Sequence, residues 1–142
     1  MHRRLDDRFG IAWDLFLIGL NSRKQGRTED ARAAMVESLS ILAEARDTSG
    51  VPLLLAGLAA IFAMAGDAER GVRLAAAAAA IEARFGGGLS QVNEQFEEWE
   101  SMRRSLALSD EEYDRLWKEG EAMDMDEAVA DALSATPADP SS

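Results

Sequence analysis

Four glutamates, Glu94, Glu97, Glu98 and Glu100, crowd one short stretch of this chain, and they are the first place to look for chemistry. Clustered carboxylates can hold a cation or work as a general acid and base. Their spacing does not match a calcium loop. Glu100 to Arg104, Glu111 to Arg115 and Asp114 to Lys118 fall at i, i+4, so this pattern predicts ion pairs on a solvated helix face. The single histidine, His2, stands at the N-terminus, away from any nucleophile. There is no cysteine, which excludes disulfides, thiolate metal sites and cysteine nucleophiles. No Gly-x-Ser-x-Gly elbow exists. Gly86-Gly87-Gly88-Leu89-Ser90 precedes a helix, where backbone N–H groups can hold an anion. It lacks the lysine of a phosphate-binding loop and reads as a helix-terminating linker. These residues predict no catalytic group, no metal site and no cofactor, and therefore no enzyme.

The elements that carry them are helices. Residues 5–24 hold Phe9, Ile11, Ala12, Trp13, Leu15, Phe16, Leu17, Ile18 and Leu20, apolar around nearly the whole circumference, which predicts burial on more than one side. Gly26 makes a turn, and Thr28 is the expected N-cap of a helix over 29–46, with Ala31, Met35, Ser38, Leu39 and Leu42 as its stripe. Asp47-Thr48-Ser49-Gly50 is a turn cluster, and a third helix starts near Pro52 and ends at Ala65-Gly66. Asp67 caps a fourth helix over 68–85, whose alanines from Leu74 to Ala80 allow close packing. Ser90 is the expected cap of a fifth helix over 91–107, bearing Val92, Phe96, Trp99, Met102 and Leu106. Ser109 and Glu112 form a capping box before a sixth helix with Tyr113, Leu116 and Trp117 inward and Gly120 at its end. Asp124 and Glu127 open a short seventh.

Composition agrees. The 142 residues are 47% hydrophobic, rich in alanine and hold three prolines, and no segment alternates with period two. The N-terminus has no apolar signal core. The apolar run Val51 to Ala65 is shorter than the roughly 20 residues that span a bilayer, so it predicts a buried helix and a cytoplasmic chain. The net charge of −11 comes entirely from residues 87–142, which hold 15 acidic and 4 basic residues. An acidic surface repels phosphate, so neither nucleic acid nor an acidic membrane is an expected partner.

Two stretches about forty residues apart lie over each other: Gly19-Leu20 … Gly26 … Ala31 … Met35, and Gly57-Leu58 … Gly66 … Gly71 … Ala75. Each reads as a helix, a glycine-led turn and a second helix, and such units must stack to bury their apolar faces. The first resembles the tetratricopeptide consensus at Gly19, Gly26, Ala31 and Met35; the second keeps Leu58 and Gly66, with Phe62 and Gly71 at the Tyr-like and Ala-like positions. The spacing exceeds the tetratricopeptide period of about 34, so the repeats are degenerate.

Two further segments carry a second likeness. Gly66-Asp67-Ala68-Glu69-Arg70-Gly71-Val72-Arg73-Leu74 resembles the "G-x-x-E-R-A-A-R-L-L" segment of LuxR-type regulators and adenylate-cyclase-linked signalling ATPases of bacteria. The run from Trp117-Lys118-Glu119-Gly120 to Glu127-Ala128-Val129 resembles their closing "W-x-E-G-x-x-L-S-L-E-E-A-V". The C-terminal halves of that family are tetratricopeptide-like superhelices. This chain lacks the family's ATPase, cyclase and helix-turn-helix domains, so only the repeat module carries over.

The resemblance implies an all-α, tetratricopeptide-like fold of about seven helices. Residues 1–86 would form two degenerate helix pairs, 87–135 an acidic C-terminal helical cap, and 136–142 a disordered tail. It also implies a groove lined by the first helix of each pair, at Trp13, Phe16, Leu20, Arg23 and Lys24, then Leu53, Ala56, Ala60 and Met64. An aromatic and aliphatic floor with two cations at one end suits a peptide or an amphipathic helix bearing a carboxylate; the rival expectation is that a neighbouring subunit or the chain's own C-terminal helices cover this face. Leu17 belongs to the same set of protein-binding residues, on the outer side of the first helix. With no repeat before it to cover that side, a homodimer through the N-terminal helix is expected. The function expected is a non-catalytic interaction or sensor module of a bacterial signalling or transcription system. The alternative is a small-molecule-binding regulatory domain with its ligand between helix layers.

Overall fold

The computed structural model describes residues 5–85 and 90–134, all helix and turn, with no strand among them. The helices are α1 (Leu5–Lys24), α2 (Thr28–Glu44), α3 (Gly50–Met64), α4 (Ala68–Phe85), α5 (Ser90–Arg103), α6 (Asp110–Glu121) and α7 (Met125–Ser134). His2, the linker at Gly86–Leu89 and the tail from Thr136 lie outside the described residues. No described helix is long and apolar enough to cross a membrane.

The first three turns share one hydrogen-bond pattern. At the end of α1, Gly26 takes φ 81°, and Arg27 N–H reaches back to Ser22 O at 2.8 Å. At the end of α3, Gly66 takes φ 101°, and Asp67 N–H reaches Phe62 O at 2.9 Å. Both are left-handed helix terminations, which glycine adopts at no steric cost. The turn after α2 uses Arg46 at φ 56° in the same role, with Asp47 N–H on Leu42 O at 3.0 Å.

One helix start differs from the sequence expectation. Arg27, not Thr28, is the N-cap of α2, and no side chain caps it, because the tight Gly26 turn puts Thr28 already inside the helix. Asp47 Oδ1 accepts from the N–H groups of Ser49 and Gly50 at 2.9 and 3.0 Å, and α3 begins at Gly50 with Pro52 in its first turn, as expected. The expected cap at Ser90 borders the residues outside the description, and α5 is described from Ser90 onward. Asp67, Ser109 and Asp124 do cap as expected: Oδ1 of Asp67 accepts from Arg70 N–H, and the other two form reciprocal pairs with Glu112 and Glu127.

α3 is the centre of the molecule, with every residue from Gly50 to Ala63 buried. α2, α4 and α5 all pack on it, while α6 lies on α4 and α7 spans α2, α3 and α4. One continuous apolar core results, from Phe16 and Met35 through Leu58 and Ile81 to Trp99, Leu116 and Ala132. Ala75 to Ala78 are wholly buried, the close-packed face their size predicts.

Gly120 does not end α6. It sits inside the helix, and a β-carbon there would lie 2.2 Å from Arg73 O of α4. Glycine here permits close approach of two helix backbones. α5 stops at Arg103 rather than 107. The predicted i, i+4 ion pairs are replaced among the described residues: Glu100 pairs with Arg103, and Arg115 with Glu119.

Candidate binding cleft

Three helices meet around a cleft of about 780 Å³. The last turn of α1 brings Leu20, Arg23 and Lys24, and the end of α3 brings Ala60 and Met64. From α5 come Glu94, Gln95, Glu97, Glu98, Ser101 and Met102, whose i, i+3, i+4, i+7 spacing puts them on one helix face. Leu20, Ala60, Met64 and Met102 make an apolar floor, and the charged residues make the rim.

Arg23 and Lys24 close α1 where cations favour the helix dipole. The Arg23 side chain is buried at 7% exposure, and its Nη2 donates to Glu98 Oε1 of α5. A guanidinium out of water needs such a counter-charge. Lys24, Glu94 and Glu97 are exposed and make no ion pair among the described residues. Gln95 is buried beside them, and its Oε1 has no hydrogen-bond donor. That amide lies against Gly57 of α3, where a β-carbon would come within 3.5 Å of it.

An aromatic cluster fixes the α5 wall. Trp99 is buried, and its Nε1–H donates to Tyr113 Oη of α6 at 2.9 Å. The Arg103 guanidinium lies 4.4 Å from the Tyr113 ring centre, and Tyr113 stacks on Trp117 at 5.8 Å. Burial pushes the Tyr113 hydroxyl above its ordinary pKa, partly offset by the Trp99 hydrogen bond and the Arg103 charge.

The groove expected from the sequence divides. Leu20, Arg23, Lys24 and Met64 do line the cleft. Trp13, Phe16 and Leu53 instead line a separate apolar cavity of about 90 Å³ with Phe9, Ala12 and Leu42. Phe16 and Leu53 are 1% exposed and act as core. Leu17 belongs to neither and lies on the outer face of α1 with Ile11 and Ile18, each about half exposed. The division runs along the helix axis, because Trp13 and Lys24 share a face of α1 but stand about three turns, roughly 16 Å, apart.

The acidic wall from α5 was invisible as part of a site, since its glutamates carry the pattern of any solvated helix face. Arg23 and Glu98 stand 75 residues apart in the chain, beyond any local signal. Among the described residues no three histidine or acidic side chains converge as metal ligands. Comparison with known protein families, curated proteins and solved structures finds no match.

Proposed function

We propose that this chain is a non-catalytic protein-interaction module of a bacterial signalling or transcription-regulatory system, and that it seats a helical segment of a partner protein in the cleft between α1, α3 and α5. The observation that carries this is an apolar floor framed by charge: half-exposed Met64 beside Leu20 and Met102, under a rim of Lys24, Glu94 and Glu97. Helix-in-groove recognition uses that arrangement. The matching turns at Gly26 and Gly66 support treating α1/α2 and α3/α4 as degenerate tetratricopeptide-like repeats.

A displayed library of helical peptides is the test. Enrichment of amphipathic sequences whose binding is lost in Met64→Glu and kept in Glu111→Lys supports the reading. A library that enriches nothing, or binders indifferent to Met64→Glu, refutes it. A second reading, a regulatory domain for a small apolar ligand, rests on the cavity beside Trp13 and Phe16. Benzene raising the melting temperature would favour it; no shift would exclude a ligand of that kind.

A further inference from the structure

We infer that the cleft selects a net-basic amphipathic helix, the opposite charge to the carboxylate-bearing ligand expected from Arg23 and Lys24 alone. This rests on the interaction reading above and names the chemistry of its partner. Arg23 is removed from recognition because Glu98 of the same chain already neutralises it, and its guanidinium is buried. With that pair set aside, one cation remains, Lys24, against two exposed carboxylates, Glu94 and Glu97. The two carboxylates stand on one face of α5 beside the apolar floor. The field outside the cleft agrees, with the whole net charge of −11 carried by residues 87–142, the part of the chain that contains α5. A partner helix with apolar side chains on one face and lysine or arginine flanking them would cover Met64 and Met102 and meet Glu94 and Glu97.

The test uses two amphipathic helical peptides with the same leucine face, one with lysines and one with glutamates on the other face. Fluorescence anisotropy reads their affinity for the full chain. The lysine peptide is expected to bind about tenfold or more tighter at low salt, and the preference to shrink as salt rises. Glu94→Lys with Glu97→Lys should abolish the preference. Met64→Glu separates a seated helix from loose charge attraction, because it adds negative charge while spoiling the floor. A seated lysine peptide binds it less well; a loosely attracted one binds it better, which overturns the inference. If the glutamate peptide binds tighter and still depends on Met64, the charge inference fails and the interaction reading stands. If neither peptide depends on Met64, both fail. Met64 is half exposed and Glu94 and Glu97 are exposed, and circular dichroism should show each variant folded.

Discussion

Arg23 and Glu98 join the first helix to the fifth through a bond whose two ends are unequally exposed. The arginine side chain is 7% exposed and the glutamate 54%. Removing the glutamate leaves a buried cation without its partner, whereas removing the arginine leaves a carboxylate that water can solvate. Glu98→Ala is therefore expected to cost about 1–3 kcal/mol, and Arg23→Met under about 1 kcal/mol. Urea unfolding of both variants and the double variant checks this. The double variant should resemble Arg23→Met, and two equal losses that simply add would refute the coupling.

Gly120→Ala is expected to destabilise by about 3 kcal/mol or more, since the new carbon meets the Arg73 carbonyl and the Ala76 methyl at the α4–α6 contact. Gly10→Ala is the control. Nothing lies within 4 Å of a β-carbon there, and alanine in a helix interior gains about 0.5–1 kcal/mol. Thermal melts should move in opposite directions.

Tyr113 is the single tyrosine, so its ionisation can be followed directly by ultraviolet absorbance. It should titrate above the ordinary value near 10 because burial disfavours the phenolate. With the folded pKa above the unfolded one, its contribution to stability is complete below pH 10 and is lost as pH rises through the folded value. Trp99→Phe removes a donor that favours the phenolate, so the midpoint should rise further. A fall would contradict the hydrogen bond.

Self-association is expected through the outer side of α1. The C-terminal helices pack on α2, α3 and α4, and Ile11, Leu17 and Ile18 stay about half exposed with one charge, Asp14, among them. A two-fold antiparallel crossing of two copies near Leu17 sets apolar against apolar. Sedimentation should show a dimer that Leu17→Glu dissociates; a monomer at every concentration would refute the contact.

The sequence by itself determined the helices, because each is marked by signals a few residues long. Gly26 and Gly66 stop helices as glycine's freedom at positive φ requires, and the Ser109–Glu112 and Asp124–Glu127 pairs start them. The buried run of α3 and the alanine face of α4 were equally legible, since size and hydropathy alone dictate them. Where a competing local rule existed, the sequence misled. Thr28 is a good cap residue, yet the chain entered α2 one residue earlier because turn geometry at Gly26 took precedence. Gly120 looked like a terminator, and only the approach of α4 shows that it is a contact residue.

The cleft belongs to the tertiary structure. Leu20, Arg23, Lys24 and Met64 could be placed on inward positions by helical register alone. Register did not reveal that Trp13 and Leu53 would close into a different cavity, nor that α5 would supply the opposite wall. The charge of the site turned on that wall. Arg23 reads as a free cation until Glu98 is folded against it, and the pairing depends on where Trp99 and Tyr113 anchor α5. Electrostatic interaction depends on distance through space, and a separation of 75 residues along the chain carries no information about it.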